Sequence, residues 1–233
     1  RYGQLGLGNT TDKYSPTRVS SLTGIVDVAV ENNAIVALDE NGAVWTSGRN
    51  NYGQLGNKTT TTRYTFGKVL DKNGEVLTNV KSIEAGNEYV IATKTDGTAV
   101  GWGYNGNGQL TTGTTSNVTG ATELKYSANG EVVSQILDVA AGANTTAVVT
   151  EDGKVWTVGA NNYGQMGDSS ATGKKNLTCI SKPQIVLGES PIRIKGINKT
   201  EKPEINMVCG FNLLYNTQDS INYEFTIRNP QIA

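Results

Sequence analysis

The sequence predicts an all-β protein whose larger part is an incomplete β-propeller of about three and a half blades. Three observations carry this prediction: many glycines, one recurring segment, and a hairpin turn at a fixed place in each recurrence. Glycine makes up 28 of the 233 residues and proline only 5, a glycine share of about 12% against a usual 7%. No apolar pattern with a helical period is sustained anywhere.

The recurring segment is Arg1-Tyr-Gly-Gln-Leu-Gly6, which returns at Asn51–Gly56, at Asn107–Leu110 and at Asn162–Gly167. The glycine before glutamine stands at positions 3, 53, 108 and 164, so the steps are 50, 55 and 56 residues. Internal periods of this size are typical of solenoids, propellers and arrays.

A hairpin turn precedes each of the later segments. The dipeptides Asn41-Gly42, Asp96-Gly97 and Asp152-Gly153 each follow a β-rich stretch, and such dipeptides favour the type I′ turns that join paired strands. Further turns at 71–74 and 127–130 predict a second hairpin that joins the outer strand to the next repeat. Several short strands in roughly 50 residues describe a propeller blade.

The tryptophans support this alignment of the repeats. Trp45, Trp102 and Trp156 occupy two neighbouring positions that share one face of the strand after the hairpin. We expect these rings to pack between blades, and the regular recurrence favours packing over stacking on a ligand.

The unit Asp-Gly-x-Val-Trp-x-x-Gly-x-Asn-x-Tyr-Gly-Gln-Leu-Gly, preceded by Asp138-Val-Ala-Ala-Gly142, resembles the repeat of the regulator of chromosome condensation family. The resemblance covers residues 1 to about 182 and implies a seven-bladed β-propeller. Where that family usually has histidine, this sequence has Ala34, Tyr89 and Thr145, and Glu31 replaces a glycine. These departures weaken the transfer of the founder's function, which is nucleotide exchange on a small GTPase together with chromatin binding.

Three and a half blades do not close a seven-bladed ring, so open blade edges are expected. A longer polypeptide is the simplest explanation, and the alternative is that two chains self-associate through these edges to complete one ring. After the repeats, Val186–Glu189 and Asn229–Ala233 resemble the opening half of a bacterial immunoglobulin-like domain. The predicted domains are therefore an incomplete propeller at 1–182 and a partial immunoglobulin-like β-sandwich at 183–233.

Composition excludes several kinds of chemistry. The chain has no histidine, so Ser-His-Asp and Cys-His catalysis and His-ligated zinc are ruled out. Twenty basic against 21 acidic residues give no reason to expect nucleic acid or an anionic membrane as partner. Cys179 and Cys209 lack metal-ligand spacing and leave the redox compartment open, and no apolar run is long enough to span a bilayer.

Three short motifs suggest chemistry but fit turns better. Gly101–Gly106 spells a dinucleotide-binding pattern, although no helix follows it. The acidic pairs Asp39-Glu40 and Glu151-Asp152 precede hairpin turns, and Asp71–Glu75 lacks the ligand spacing of a calcium loop. We therefore predict no catalytic residue, no cofactor and no metal site.

The predicted function is that of a non-enzymatic module that binds a protein or a glycan and belongs to a secreted or cell-surface, bacterial protein. The alternative is a guanine-nucleotide exchange factor or another regulator of a small GTPase, and an inhibitor that caps an enzyme stays open as a third class. Recognition usually resides in loops on a rigid scaffold. The predicted contacts lie in the blade-end loops: Asn57, Lys58, Arg63, Thr114, Asn117, Asp168 and Lys174.

Overall fold

The computed structural model describes residues 1–127 and 129–180, together with four short strands further along the chain. The chain divides into two compact units, Arg1–Ser181 and Lys182–Ala233. Among the described residues, no helix is long and apolar enough to cross a membrane.

The first unit contains three four-stranded antiparallel sheets, each with its strands in chain order. The first blade comprises β1 (Ile25–Val30), β2 (Ala34–Asp39), β3 (Val44–Gly48) and β4 (Arg63–Lys68). The second blade comprises β5 (Val80–Ala85), β6 (Tyr89–Lys94), β7 (Ala99–Gly103) and β8 (Val118–Glu123). The third blade comprises β9 (Ile136–Ala141), β10 (Thr145–Thr150), β11 (Val155–Gly159) and β12 (Lys174–Cys179). The prediction of an all-β, partial propeller is confirmed.

The second unit is described only as two strand pairs. The strands are β13 (Val186–Gly188), β14 (Ile192–Ile194), β15 (Ile205–Met207) and β16 (Gly210–Asn212). Strand β13 pairs with β16 and β14 pairs with β15, both antiparallel. The rest of the predicted immunoglobulin-like segment, Cys209 included, lies outside the described residues, so that resemblance stays a prediction.

The hairpins form where the Asn-Gly and Asp-Gly dipeptides predict them, but only the glycine of each dipeptide has a positive φ, so the predicted type I′ turn is wrong. In the first blade the backbone N–H of Gly42 donates to Asp39 O at 2.9 Å, and Gly42 has a φ of 76°. Gly97 and Gly153 adopt φ values of 78° and 75°, which glycine reaches without strain. The second predicted hairpin is short in both repeats. Its arms are joined by one isolated bridge, Leu70↔Val76 after the first blade and Lys125↔Val132 after the second.

A glycine at the end of each third strand lets the sheet kink. The pairing of β3 with β4 shifts register beside Gly48, whose φ is 119°. A Cβ atom there would lie 2.4 Å from Asn33 O, so only glycine fits. Gly103 and Gly159 repeat this arrangement in the other two blades.

The core is made between blades. Trp102 is completely buried among residues of the first two blades, including Val36, Val44 and Val69. Trp45 and Trp156 are only half-buried; Trp45 Nε1 donates to Asp39 Oδ2 at 2.8 Å, and Trp156 packs on Tyr126 with ring centroids 4.8 Å apart. A second core joins the last two blades. The first strands of the three blades lie side by side, since β5 contacts both β1 and β9, and they are therefore the innermost strands.

The loop between the third and fourth strands of the first blade crosses to the second blade, and the equivalent loop of the second blade approaches Lys175 of the third. The Trp102 indole donates to Gln54 O at 2.9 Å, and Lys58 N donates to Thr119 O at 2.8 Å. The N-terminal segment approaches the first blade in the same way, since Ser47 Oγ donates to Gln4 O at 2.8 Å. Hydrogen bonds of this crossing loop therefore tie the first blade to the second.

One face of the first blade is open. Val26, Val28 and Val30 of β1 are 64%, 61% and 70% exposed. A groove of about 660 Å³, lined by apolar residues such as Leu5 and Phe66, runs along this face. Self-association through this open face stays a prediction.

Antiparallel pairing gives each blade two distinct ends. The turns between first and second strands and the crossing loops lie at one end, which we call the loop rim. The hairpins between second and third strands lie at the opposite end, the hairpin rim. The loop rim therefore carries all the predicted contact loops.

Replacing the central indole should destabilise the protein more than replacing a peripheral one. We expect Trp102→Phe to lower the free energy of unfolding by about 2–4 kcal/mol, because it leaves Gln54 O without its buried donor and opens a cavity. Trp156→Phe is the matched control, with an expected loss below about 1 kcal/mol, because its indole makes only a 3.3 Å hydrogen bond to Thr150. Equilibrium denaturation in urea measures both, and equal losses would contradict the assignment of Trp102 to the core.

Candidate functional site

The structure places the predicted contact residues in three separate loops, one to a blade. The first loop and strand start carry Asn57, Lys58 and Arg63; the second loop carries Thr114 and Asn117; the third carries Asp168 and Lys174. All seven lie at the loop rim, but they do not form one cluster. Their role in binding stays a prediction.

A buried asparagine organises each of these loops. Asn50, Asn105 and Asn161 are completely buried, and each accepts the backbone N–H five residues ahead at 2.9 Å. Each Nδ2 also lies within hydrogen-bond distance of a side chain seven residues ahead and of carbonyl oxygens nine and eleven residues ahead. The three loops therefore share one rigid backbone plan despite their different sequences.

This plan gives several predicted contact residues an internal role. Asn57 and Asp168 accept from the buried asparagine of their loop, and Asn117 Oδ1 accepts from Asn105 N at 3.1 Å. Arg63 Nη2 donates to Thr46 O at 2.8 Å and to Gly67 O at 2.6 Å. These side chains shape the loops.

Three of the predicted residues face solvent more freely. Lys58 and Thr114 are exposed, and the half-exposed Lys174 ammonium lies 3.8 Å from Asp168 Oδ2. Lys58 adopts a φ of 64°, a conformation that costs a side chain about 1 kcal/mol or more. The equivalent position of the other segments is Gly8, Gly113 or Ser169, all with positive φ.

Removing one buried asparagine should loosen its loop. We expect Asn105→Ala to cost about 2–3 kcal/mol of stability and to accelerate amide exchange over residues 112–117, because the loop loses its shared donor and acceptor. Thr115→Ala, an exposed change in the same loop, is the control and should alter neither. Hydrogen exchange by mass spectrometry measures the effect, and unchanged protection in Asn105→Ala would refute this role.

A charged and aromatic cluster lies at the loop rim between the first and second blades. We call it the junction cluster and define it as Tyr2, Glu31, Arg49, Tyr52, Gln54 and Glu88. Arg49 Nη1 donates to Glu88 Oε1 at 2.8 Å. The guanidinium carbon lies 5.6 Å from the ring centroids of both Tyr2 and Tyr52, within the range of cation–π attraction.

Glu31 is the buried member of the cluster. It is 5% exposed, and neither carboxyl oxygen has a hydrogen bond of good geometry among the described residues. Arg49 Nε and Gln54 Nε2 are likewise buried and unpaired there. Burial, reinforced by the charge of Glu88, raises the pKa of Glu31 to about 8, although weaker polar contacts with Gln54 and the Glu88 backbone and the charge of Arg49 oppose this.

The junction cluster departs from the repeat. At the next junction Gly86, Tyr104 and Asn144 stand where Glu31, Arg49 and Glu88 stand here. Glu88 also adopts a φ of 64°, another strained conformation. Comparison with the family repeat identifies Glu31 as a departure but not Arg49 or Glu88. Aligning the repeats of this chain at positions 49 and 88 would have identified those two residues.

The cluster offers binding groups, and it is not a metal centre. Among residues 1–127 and 129–180 and the four short strands, no group of three or more Asp, Glu, Cys or His side chains is placed to hold a metal ion. The acidic pairs occupy hairpins: Asp39 Oδ1 accepts from Asn41 N and Ala43 N at 3.0 and 2.9 Å. Asp71 similarly accepts from Asn73 N and Glu75 N, which makes its segment a turn.

Ionisation of Glu31 should make stability depend on pH. Its pKa is higher in the folded state, so the folded protein holds the proton more tightly and stability falls as pH rises from about 4.5 to about 8. We expect Glu31→Gln to remove this slope, which is at most about 1.4 kcal/mol per pH unit. Glu40→Gln, an exposed change at the hairpin rim, should retain it. Urea denaturation across this pH range measures the slope, and parallel curves for the Glu31 variant and the unaltered protein would exclude a buried neutral Glu31.

Family models support the repeat assignment. Two of them, both described as the "Regulator of chromosome condensation (RCC1) repeat", match the chain: one at residues 25–54, 80–109 and 136–165, the other at residues 1–38 and 41–93. Together they cover more than half of the chain.

Curated relatives are similar over the repeats. The chain is 34% identical over 168 residues to the ultraviolet-B receptor UVR8 of Arabidopsis thaliana, covering 71% of this chain and 37% of that protein. It is 32% identical over 172 residues to the human E3 ubiquitin-protein ligase HERC2, covering 72% of this chain and 3% of that protein. The chain therefore spans only a minor part of each of these relatives.

Solved structures confirm the propeller architecture. Human WBSCR16 superposes with a TM-score of 0.64 at 22% identity, covering 76% of this chain and 44% of that chain. Prp20p from Saccharomyces cerevisiae superposes with a TM-score of 0.62 at 20% identity, covering 77% and 44%. The sequence repeats, their matching family models and this shared architecture agree: the chain belongs to the regulator of chromosome condensation (RCC1) repeat family.

Proposed function

We propose that this chain is a non-enzymatic binding module that recognises a protein partner through its loop rim. The observation that carries the proposal is the junction cluster, where an otherwise repetitive scaffold brings Arg49 and two tyrosines together at the rim. Rigid loops held by buried asparagines surround it, and recognition usually resides in loops of this kind. Several relatives bear the names of a receptor and of ubiquitin ligases, which supports a regulatory binding role.

A glycan is the other partner class that the proposal admits, and a secreted or cell-surface bacterial protein is the proposed setting. The support for this setting is the Asn- and Thr-rich composition of the repeats. The curated relatives named above come from a plant and a mammal, so this part of the proposal rests on composition alone.

The alternative function is regulation of a small GTPase. The observation that favours it is the structural similarity to Prp20p, for which binding properties to Gsp1p and histones are described. A nucleotide-release assay with a panel of small GTPases tests this alternative. Stimulated release that is lost on substitution of loop-rim residues would show that the partner is a small GTPase and that the chain regulates it.

Loop-rim substitutions should abolish partner capture. We expect the triple variant Lys58→Ala, Thr114→Ala, Lys174→Ala to lose proteins or glycans that the unaltered chain retains on a column, because these three side chains lie along the loop rim, one to a blade. The control is Glu40→Ala, Glu151→Ala, which alters exposed residues at the hairpin rim. Quantitative mass spectrometry and a glycan array measure retention. Binding is then measured again with each retained candidate as a purified component. Loss of partner retention in the hairpin-rim variant alone would contradict the proposal, because it would place recognition at the hairpin rim.

A further inference from the structure

We propose that Arg49 anchors a carboxylate-binding site, through which the loop rim recognises an acidic segment of its partner. This inference rests on the proposed binding function and specifies the chemistry of the partner. The shared chemistry is a carboxylate, supplied either by Asp and Glu side chains or by a chain terminus.

The guanidinium of Arg49 retains donor capacity. Its Nη1 donates to Glu88 at 2.8 Å, while its buried Nε faces the interior. Its Nη2 makes no hydrogen bond to any described residue and is not among the buried atoms, and the side chain is 23% exposed. A guanidinium with an open edge binds a carboxylate in a defined orientation.

The tyrosines hold this guanidinium in place. The ring centroids of Tyr2 and Tyr52 lie 5.6 Å from its central carbon, and Tyr52 packs on Tyr104 in a T-shaped contact with ring centroids 5.2 Å apart. A side chain fixed in this way loses little entropy when it binds a ligand. The guanidinium carbon of Arg1 lies 5.7 Å from the centroid of the Tyr2 ring, so Arg1 adds a second positive charge near Arg49.

At neutral pH a single ionised carboxylate, that of Glu88, balances the charge of Arg49. The charged and titratable groups around it are Glu88 from the turn before β6 and Glu31 from the turn after β1, with the neutral Gln54 amide in the crossing loop. The raised pKa of Glu31 keeps that carboxyl protonated at neutral pH, so Glu88 alone opposes the arginine. Ionisation of Glu31 above pH 8 would supply a competing internal carboxylate.

The second junction provides an internal comparison. Tyr104 replaces Arg49 there, and Gly86 and Asn144 replace the two glutamates. The equivalent place between the second and third blades thus lacks the guanidinium and both carboxyls. We therefore expect acidic ligands to bind at the first junction and not at the second.

The test uses a short fluorescein-labelled peptide of alternating Glu and Ser with an amidated end, measured by fluorescence anisotropy at low salt. Two further probes distinguish the carboxylate sources: the same peptide with Gln in place of Glu, and that Gln peptide with a free terminal carboxylate. We expect Arg49→Gln to weaken binding about tenfold or more, and Arg49→Lys to weaken it less, since lysine keeps the charge but loses the planar fork. Arg18→Gln, an exposed change, should bind like the unaltered protein.

A pH profile provides a readout that a purely structural arginine would not move. Affinity for the acidic peptide should fall as pH rises through about 8 in the unaltered protein and stay level in Glu31→Gln. Equal binding by Arg49→Gln in a variant with an unaltered melting temperature would overturn the proposal, as would equal binding of the amidated Gln peptide.

The two proposals fail in different ways. If a partner is lost in the loop-rim triple variant but retained by Arg49→Gln, the rim binds its partner and the carboxylate site is wrong. If acidic peptides bind through Arg49 while the partner is lost only in the hairpin-rim variant, the carboxylate site exists but the loop rim does not recognise that partner. Loss in both variants supports both.

Discussion

The hydrogen bonds of one buried asparagine per repeat support the arrangement on which the rest of the structure depends. Asn50 fixes the loop that leaves the first blade, and that loop then crosses to the second blade, where Gln54 accepts from Trp102 and Lys58 pairs with Thr119. A blade has apolar faces that it cannot bury alone. Because the hydrogen bonds of Asn50 lie within the crossing loop, they fix the shape of the loop that contacts the next blade. The same hydrogen bonds shape the loop rim that is proposed to bind a partner.

A repeated scaffold makes its exceptions informative. The asparagine plan recurs in all three loops, whereas the combination of Glu31, Arg49 and Glu88 occurs at one junction among the described residues. The unpaired buried carboxyl of Glu31 and the positive φ of Glu88 both oppose folding. The equivalent residues of the next repeat avoid these two costs, because Gly86 has no carboxyl and Asn144 has no positive φ. Local rules are broken most often where function requires it, which is why we base the functional proposals on this junction.

Sequence reasoning reached the fold because the relevant signals are local. Asn41-Gly42 and its equivalents specify their turns through backbone preference alone, and the spacing of Gly3, Gly53, Gly108 and Gly164 reveals the blades. The junction cluster could not be predicted in this way, since Arg49 and Glu88 are 39 residues apart and meet only when two blades pack. Arg63 shows the limit of loop position as a signal: its place in a blade-end loop predicts a partner contact, whereas its guanidinium donates inward to backbone carbonyls.

The junction cluster also links stability to recognition. A neutral Glu31 leaves Arg49 with a single counterion, whereas an ionised Glu31 would compete with a ligand carboxylate for the guanidinium at the rim. Had the repeat residue, glycine, stood at position 31, the carboxyl and its pH dependence would both be absent, and the guanidinium would have the same affinity for carboxylates at all moderate pH values. The glutamate therefore adds a restriction on binding at high pH, and the stability that it costs at neutral pH is the physical consequence of burying an acid beside the arginine that it modulates.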